Sequence, residues 1–206
     1  MTLWYRFCRD LVFGLSRLAW GLRVVGRDNL PTEGPVIIAC NHISLLDPPV
    51  LGSSIPRESG FVAKRDLFAN PGMARLLGSL NSIPIDRSRL SMETMDLLAE
   101  FLRSGRALVF FPEGTRSRSG TLRAGKVGIG VLLQKCPVPV VPAYIEGTNA
   151  PFRNLFRRGR VRVAFGPPFA LPRDDSSSSD RRAHARHVAE TVMARIRELQ
   201  EEANAS

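Results

Sequence analysis

The sequence predicts a single α/β domain in which a mixed, largely parallel sheet is flanked by helices and preceded by an N-terminal amphipathic helix. Three observations carry this prediction. The chain has 206 residues, which is the length of one ordinary domain. Its hydrophobic fraction of 44% and charged fraction of 23% are typical of globular proteins, and they exclude wholesale disorder and a fibrous repeat. From Pro35 onward, short β-rich runs alternate with helical stretches, which is the pattern of an α/β sheet.

Residues 1–24 are predicted to form an amphipathic, membrane-associating helix, because apolar side chains recur at helical spacing between positions 3 and 22. The basic residues lie on the opposite face: Arg6, Arg9 and Arg17. Phe13 and Trp20 project among these arginines. In one interpretation, the leucine face packs on the protein and the aromatic, basic face contacts a bilayer. The alternative is an ordinary amphipathic helix with two exposed aromatic residues.

The predicted sheet and most of its helices occupy residues 25–171. The β-rich runs are residues 36–40, 61–63, 82–85, 107–111, 138–145 and 161–165. Helical periodicity precedes two of these strands, at residues 92–102 and 127–136, so crossover connections between parallel strands are expected. Residues 172–180 are predicted to form a Ser-rich linker. Residues 181–206 are predicted to form a C-terminal helix whose apolar stripe docks back on the domain.

The charge and the cysteines restrict the partners and the compartment. The 29 Lys and Arg residues against 19 Asp and Glu residues give a net charge of +10, which favours polyanions or anionic surfaces as partners. The three cysteines are sparse and lack CxxC spacing, which predicts a reducing, cytoplasmic location. No apolar run approaches the ~18 to 20 residues that a spanning helix requires, so membrane association is predicted to be peripheral.

Residues 41–48, with the sequence NHISLLDP, directly follow an apolar strand, where sites often form in open α/β sheets. His42 and Asp47 do not stack on a regular helix, but a turn can bring the carboxylate onto one imidazole nitrogen and leave the other free. That arrangement predicts a general base. Because no GxSxG nucleophile motif occurs, the base is expected to activate a hydroxyl of the substrate. This pattern alone is weak, and a hydrogen-bonded structural histidine is the alternative.

A second loop with candidate functional residues is formed by residues 111–117, which have the sequence FPEGTRS. This loop also follows an apolar strand. Backbone N–H groups around Gly114, together with Arg116, are predicted to form an anion cradle. Lys64 and Arg87 each follow another predicted strand. Four predicted strand ends therefore offer polar groups.

Together, four sequence blocks resemble the PlsC-type glycerolipid acyltransferase family, whose best-known members are 1-acyl-sn-glycerol-3-phosphate acyltransferases. The blocks are residues 41–47 (NHxxxxD), 78–87 (ending in an arginine), 111–117 (FPEGTRS) and 138–142 (apolar and bounded by proline). Their order and separations fit the family. The resemblance implies an αβ layered domain with a two-helix N-terminal membrane element. Before Val25, this chain has room for one helix or a broken pair.

The resemblance implies transfer of a fatty acyl group from an acyl thioester, acyl-CoA or acyl carrier protein, to the free hydroxyl of 1-acyl-sn-glycerol 3-phosphate. The product would be phosphatidic acid. His42 would be the general base and Asp47 the residue that orients it. The residues assigned to substrate binding are Lys64, Arg87, Glu113, Gly114, Thr115 and Arg116, of which Lys64, Arg87 and Arg116 would hold the phosphate. The scheme requires no metal and no bound cofactor, and it implies a peripheral location at the inner face of the cell membrane.

Two kinds of rival function stay open at this point. A related acyltransferase could act on another lysophospholipid, glycerol 3-phosphate or the lyso-form of an aminolipid. A non-catalytic basic protein that binds nucleic acid or anionic membrane would explain the net charge but not the NHxxxxD and FPEGTRS blocks. No recognisable nucleic-acid motif is present, so no nucleic-acid partner is predicted.

Three further features have an ordinary structural explanation. Cys40 adjoins the proposed base, but a cysteine at the end of an apolar strand is more typical of a buried hydrophobe than of an acyl-accepting thiol. His184 and His187 lie among arginines without a carboxylate, which favours a solvated basic face over a metal site. The basic run at residues 153–160 either contacts anionic lipid or coenzyme A phosphates, or is a solvated loop.

Overall fold

The computed structural model describes residues 1–86, 91–117, 119–156, 159–171 and 181–205. The strands are β1 (Arg23–Val25), β2 (Val36–Cys40), β3 (Ser59–Lys64), β4 (Ser82–Ile85), β5 (Ala107–Phe110), β6 (Val140–Glu146) and β7 (Arg162–Phe165). The α-helices are α1 (Leu3–Trp20), α2 (Asp47–Ser54), α3 (Pro71–Ser79), α4 (Met92–Arg103), α5 (Gly128–Lys135) and α6 (Arg181–Asn204). Two short 3-10 helices cover Arg27–Asn29 and Arg65–Phe68.

The strands form one sheet in the order β1-β7-β6-β2-β5-β3-β4. Strand β2 lies parallel to both β5 and β6, and β3 lies parallel to both β5 and β4. Among the described strands, only the β6–β7 pair is antiparallel, and β1 continues the sheet parallel to β7. The predicted mixed, largely parallel α/β sheet is confirmed. Because β2 to β6 run in one direction, their carboxyl ends meet at the same edge, where loops can bring distant residues together.

Helices cover both faces of the central strands. Along β2, Ile37 and Ala39 join the core beneath α4, α5 and α6, whereas Ile38 and Cys40 join the core beneath α2 and the packed side of α1. This alternation follows from the two-residue period of a strand. Every residue of β2 and β5 is buried, as expected for parallel strands covered on both faces.

The predicted C-terminal helix is observed as α6. Its apolar stripe, which includes Val188, Val192 and Ile196, packs into the core beneath α4 and α5. The predicted Ser-rich linker, residues 172–180, lies outside the described residues. The predicted domain boundaries stay predictions.

Helix α1 packs on the domain through a face other than the predicted one. Its leucine face is exposed: Leu3, Phe7, Leu11, Leu15 and Leu18. The buried positions are Tyr5 and Ser16, while Phe13 and Trp20 pack against the core beside α2. The interpretation with an inward leucine face and outward aromatic residues is therefore wrong. No helix in the described ranges has the length and apolar character needed to cross a bilayer.

Specific polar contacts on the packed face account for this orientation. The hydroxyl of Tyr5 accepts a hydrogen bond from the backbone N–H of Ser59 at 3.1 Å. The indole Nε1 of Trp20 donates to the carbonyl of Pro151 at 3.0 Å. These aromatic residues bury their rings and keep partners for their polar atoms, which is the arrangement that buried Tyr and Trp require. Gly21, with a φ of 58°, ends the helix, although the apolar pattern runs on to position 22 and the helix was predicted to reach position 24.

Candidate active site

The site begins with Asn41, which fixes the chain where β2 ends. Its Nδ2 donates to the carbonyl of Ile145 at 2.9 Å, and its Oδ1 accepts from the N–H of Ile145 at 2.8 Å. The amide side chain therefore extends the pairing between β2 and β6 by one step. The residue that follows, His42, leaves the sheet from a rigid support at the carboxyl edge.

His42 and Asp47 meet as the sequence predicts. Nδ1 of His42 lies 2.7 Å from Oδ2 of Asp47, and both side chains are buried. The same oxygen accepts hydrogen bonds from the N–H groups of Ile43 at 2.6 Å and Ser44 at 2.7 Å. These bonds fold the five-residue separation into a tight turn at the start of α2, which brings the carboxylate back over the imidazole.

The second oxygen of Asp47 has a partner from a distant part of the chain. The hydroxyl of Thr148, which follows β6 and is buried, donates to Oδ1 of Asp47 at 2.5 Å. Both carboxylate oxygens therefore accept hydrogen bonds, as a buried carboxylate requires. Sequence reasoning missed Thr148, because its contact with Asp47 crosses 101 positions and no local pattern signals it.

These contacts determine which imidazole nitrogen is free. A carboxylate only accepts hydrogen bonds, so Nδ1 of His42 carries the proton and Nε2 presents a lone pair. No described residue hydrogen-bonds Nε2. The imidazole stacks on the ring of Phe111, with 4.2 Å between centroids and 23° between planes. The ring is therefore held in one orientation with its basic nitrogen available to a substrate hydroxyl.

Glu113 lies beside the pair in the loop after β5. Its Oε1 accepts a hydrogen bond from the N–H of His42 at 3.1 Å, whereas its buried Oε2 has no partner among the described residues. Burial raises the pKa of Glu113 above its ordinary value of 4.5, while the N–H groups of His42 and Arg123 and the charge of Arg123 oppose the rise. Oε2 is free to accept a hydrogen bond from a ligand.

The FPEGTRS loop is tied to the histidine loop through its backbone. The N–H of Ser117 donates to the carbonyl of His42 at 2.7 Å, and the N–H of Lys126 donates to the carbonyl of Pro112 at 2.9 Å. Gly114 has a φ of 68°, and a Cβ there would lie 3.2 Å from Nζ of Lys126. The glycine therefore serves both a left-handed turn and the close approach of an ammonium group. Lys126 ends a Gly-rich and basic stretch, residues 118–126, that follows this loop in the sequence, but it was not predicted as a site residue.

The model of the protein family described as Acyltransferase matches residues 21–146, which include the histidine loop and the FPEGTRS loop. The chain belongs to this acyltransferase family. The PlsC-type resemblance is confirmed by this match together with the named relatives and the solved structure described next.

Named relatives of the acyltransferase come from bacteria and eukaryotes. This chain is 29% identical over 198 residues to the 1-acyl-sn-glycerol-3-phosphate acyltransferase of Bacillus subtilis (strain 168). The match covers 95% of this chain and 96% of the relative. The chain is 32% identical over 169 residues to the enzyme of the same name from Saccharomyces cerevisiae, covering 77% of this chain and 55% of the relative. The chain spans less than half of an Arabidopsis thaliana chloroplast relative, 43% of its length.

A solved structure resembles the acyltransferase over nearly the whole chain. The crystal structure of the 1-acyl-sn-glycerophosphate (LPA) acyltransferase PlsC from Thermotoga maritima superposes with a TM-score of 0.69 at 27% identity. The match covers 95% of this chain and 81% of the other. The fold of the acyltransferase is therefore one already seen in this family.

The basic residues predicted to hold phosphate differ in their surroundings in the acyltransferase. Lys64 ends β3 at the same sheet edge as His42, but it is exposed and pairs with Asp66. Thr115 and Arg116 are exposed on the loop after β5. Arg87 lies outside the described residues. The structure thus brings His42, Asp47, Glu113 and Gly114 together and leaves the phosphate-binding roles as predictions.

Cys40 is fully buried at the end of β2, and its thiol lies 3.6 Å from Oδ1 of Asn41. Burial, followed by the charges of Asp47 and Glu113, raises the pKa of this thiol well above its ordinary value. A thiol in this setting forms little thiolate, which favours the buried hydrophobe over an acyl-accepting nucleophile. Within the described residues, no group of three or more His, Cys, Asp and Glu side chains is arranged to hold a metal ion.

Proposed function

We propose that this protein transfers a fatty acyl group from an acyl thioester to the free hydroxyl of 1-acyl-sn-glycerol 3-phosphate and so makes phosphatidic acid. The observation that carries the proposal is the buried His42–Asp47 pair, whose geometry leaves the imidazole Nε2 free. The relatives from Bacillus subtilis and Saccharomyces cerevisiae are both named for this activity, which supports the choice of acceptor.

The proposed reaction is a single acyl transfer to oxygen. Nε2 of His42 takes the proton of the acceptor hydroxyl while the oxygen attacks the thioester carbonyl carbon. The tetrahedral intermediate collapses, the carbon–sulfur bond breaks, and the thiolate leaves with the proton carried by the imidazolium. Asp47 stabilises the positive imidazole between these steps, because its Oδ2 lies 2.7 Å from Nδ1.

The acceptor is proposed to be held by groups around the FPEGTRS loop. The unpartnered Oε2 of Glu113 can accept a hydrogen bond from the glycerol part, and Gly114 is proposed to contact the acceptor through its backbone. Arg116, Arg87 and Lys64 are proposed to bind the phosphate, since charge-assisted contacts are the strong form of phosphate recognition. The ammonium of Lys126 beside Gly114 adds a cation to the same loop.

The donor is proposed to be a substrate thioester, either acyl-CoA or acyl carrier protein, rather than a bound cofactor. Acyl transfer from a thioester to a hydroxyl needs only the base, the orienting carboxylate and groups that position both substrates. Both carriers present the same thioester to His42, so they are distinguished by binding outside the reaction centre.

We also propose that the protein binds peripherally to the anionic inner face of the cell membrane through α1. The exposed leucine face, defined above, is flanked on the same helix by the exposed Arg6 and Arg17. An apolar stripe with neighbouring basic residues is the arrangement of a helix that lies in a membrane interface. The contact surface is therefore the leucine face rather than Phe13 and Trp20.

One assay tests the proposed acceptor. Purified protein is supplied with long-chain acyl-CoA or acyl carrier protein thioester and with 1-acyl-sn-glycerol 3-phosphate, glycerol 3-phosphate or lysophosphatidylcholine, and the products are identified by mass. We expect phosphatidic acid as the main product. Preferential acylation of another acceptor would correct the substrate, and no acyl transfer to any acceptor would contradict the proposed function.

A further inference from the structure

The connection after β6 displays apolar side chains that the proposed reaction does not use. In residues 150–156, here called the aromatic loop, Phe152 is 91% exposed, Phe156 is 77% exposed and Leu155 is 41% exposed. Arg153, between them, is exposed as well. Large apolar side chains grouped on the surface are typical of an interaction site, whereas single exposed ones are ordinary.

The aromatic loop is held by hydrogen bonds at its base. Asn154 donates from Nδ2 to the carbonyl of Gly147 at 2.8 Å, and its N–H donates to the carbonyl of Ala150 at 3.0 Å. The N–H of Phe156 donates to the carbonyl of Ala19 at 2.6 Å. Phe156 has a φ of 59°, a left-handed conformation that a bulky residue adopts only where its surroundings enforce it. The exposed rings are thus presented from a fixed backbone.

The aromatic loop stands between the active site and the exposed face of α1. It follows Thr148, whose hydroxyl binds Asp47, so it rises from the same sheet edge as His42. It also contacts the end of α1 through Ala19 and Trp20, next to Leu18, which is among the exposed residues of the leucine face. The aromatic loop therefore joins the carboxyl end of α1 to the catalytic edge of the sheet.

We propose that the aromatic loop is a second membrane contact, which inserts Phe152 and Phe156 into the interfacial region of an anionic bilayer and holds the catalytic edge against it. Aromatic side chains favour the interfacial region of a bilayer, and the positive charge of Arg153 complements the negative charge of the bilayer surface. Protruding rings can insert into a lipid bilayer, because the lipids rearrange around them. The inference rests on the proposed function only in that the substrates are membrane lipids, and it adds the orientation in which the site faces them.

Vesicle co-sedimentation tests the contact without turnover, using vesicles of neutral lipid containing a fraction of phosphatidylglycerol. We expect Phe152→Ser to weaken binding about tenfold and Phe152→Trp to preserve it, because the ring is the inserted group. We expect Arg153→Gln to weaken binding about fivefold at low salt and to have no effect at high salt. The matched control is Met92→Ser, which removes an exposed apolar side chain from α4 on the opposite layer and should leave binding unchanged.

Two further measurements separate this proposal from the proposed function. His42→Ala should bind vesicles like the parent protein, and Phe152→Ser should acylate a short-chain, water-soluble acceptor at the parental rate. If the parent protein shows no acyl transfer but the vesicle pattern holds, the function fails and the membrane contact stands. Parental vesicle binding by Phe152→Ser would overturn the contact. A defect of Phe152→Ser confined to acyl carrier protein as donor, with normal vesicle binding, would also overturn it and assign the aromatic loop to an acidic protein.

Discussion

At the scale of single residues, the orientation of His42 depends on groups that converge on Asp47. The local turn supplies the N–H groups of Ile43 and Ser44, and the end of β6 supplies the hydroxyl of Thr148. Oδ2 accepts from several donors, but Oδ1 has Thr148 as its one partner among the described residues. Removing the Thr148 hydroxyl leaves a buried carboxylate oxygen without that partner, which is more costly than losing an exposed hydrogen bond. Thr148 is therefore expected to act on catalysis through the position of Asp47.

Substitution of Thr148 separates positioning from substrate binding. We expect Thr148→Val to lower kcat about ten- to a hundredfold with little change in the KM of the acceptor, because a lost hydrogen bond to a charged group costs ~1.5–3 kcal/mol. Thr148→Ser retains the hydroxyl and should recover most of the rate. Steady-state kinetics of the two variants measure this. Equal rates for the Val variant and the parent, or equal losses in both variants, would exclude the positioning role.

Glu113 gives the stability of the protein a predictable pH dependence. Burial raises its pKa in the folded protein above the ordinary value of 4.5. The folded protein therefore favours the protonated form of Glu113. The resulting contribution to the free energy of unfolding is fully present below about pH 4.5, and it is lost as the pH rises through the raised pKa. Glu113→Gln does not ionise, so its free energy of unfolding relative to the parent should increase from pH 4.5 toward neutral pH. Urea unfolding across this range measures the difference.

An exposed glutamate provides the control for this titration. Glu198 on α6 is half-exposed and forms a surface ion pair with Arg195. Glu198→Gln should shift stability only slightly and without the same trend, because surface ion pairs contribute little. If Glu113→Gln and the parent gave parallel curves of stability against pH, the effect of burial on Glu113 would be refuted.

At the scale of elements, periodicity located the segments better than it located their faces. The strands at Val36–Cys40 and Ser82–Ile85 and the helix Met92–Arg103 follow from apolar runs and spacing, since these signals are local. The packed face of α1 was misjudged because it depends on partners elsewhere: Ser59 for Tyr5, and Pro151 for Trp20. Hydrophobicity alone favours the leucine face, and only the tertiary contacts decide against it.

Two adjacent residues of α1 that differ in burial, Leu15 and Ser16, test this orientation. Ser16 is 1% exposed, so Ser16→Leu should lower the free energy of unfolding by ~1–3 kcal/mol through overpacking. Leu15 is 55% exposed, so Leu15→Ser should change it by no more than about 0.5 kcal/mol. Chemical denaturation measures both. A large loss of stability in Leu15→Ser, together with parental stability in Ser16→Leu, would show that the leucine face packs on the domain.

At the scale of the whole molecule, the parallel strands assemble a site from segments that are far apart in the sequence. His42 follows β2, Glu113 follows β5 and Thr148 follows β6, and these strands are neighbours in the sheet. The sequence revealed the first two residues because each lies in a compact motif directly after an apolar run. It did not reveal Thr148 or the exposure of the aromatic loop, since neither has a signal that distinguishes it from an ordinary loop residue.

The most direct test of the central claim compares two histidine variants in acyl transfer from long-chain acyl-CoA to 1-acyl-sn-glycerol 3-phosphate. His42 is the proposed base, and His187 is an exposed histidine on α6 that serves as the matched control. We expect His42→Ala to lose ~10²- to 10⁴-fold in kcat while keeping the folded structure, and His187→Ala to retain parental turnover. Near-parental turnover by a folded His42→Ala variant would contradict the account.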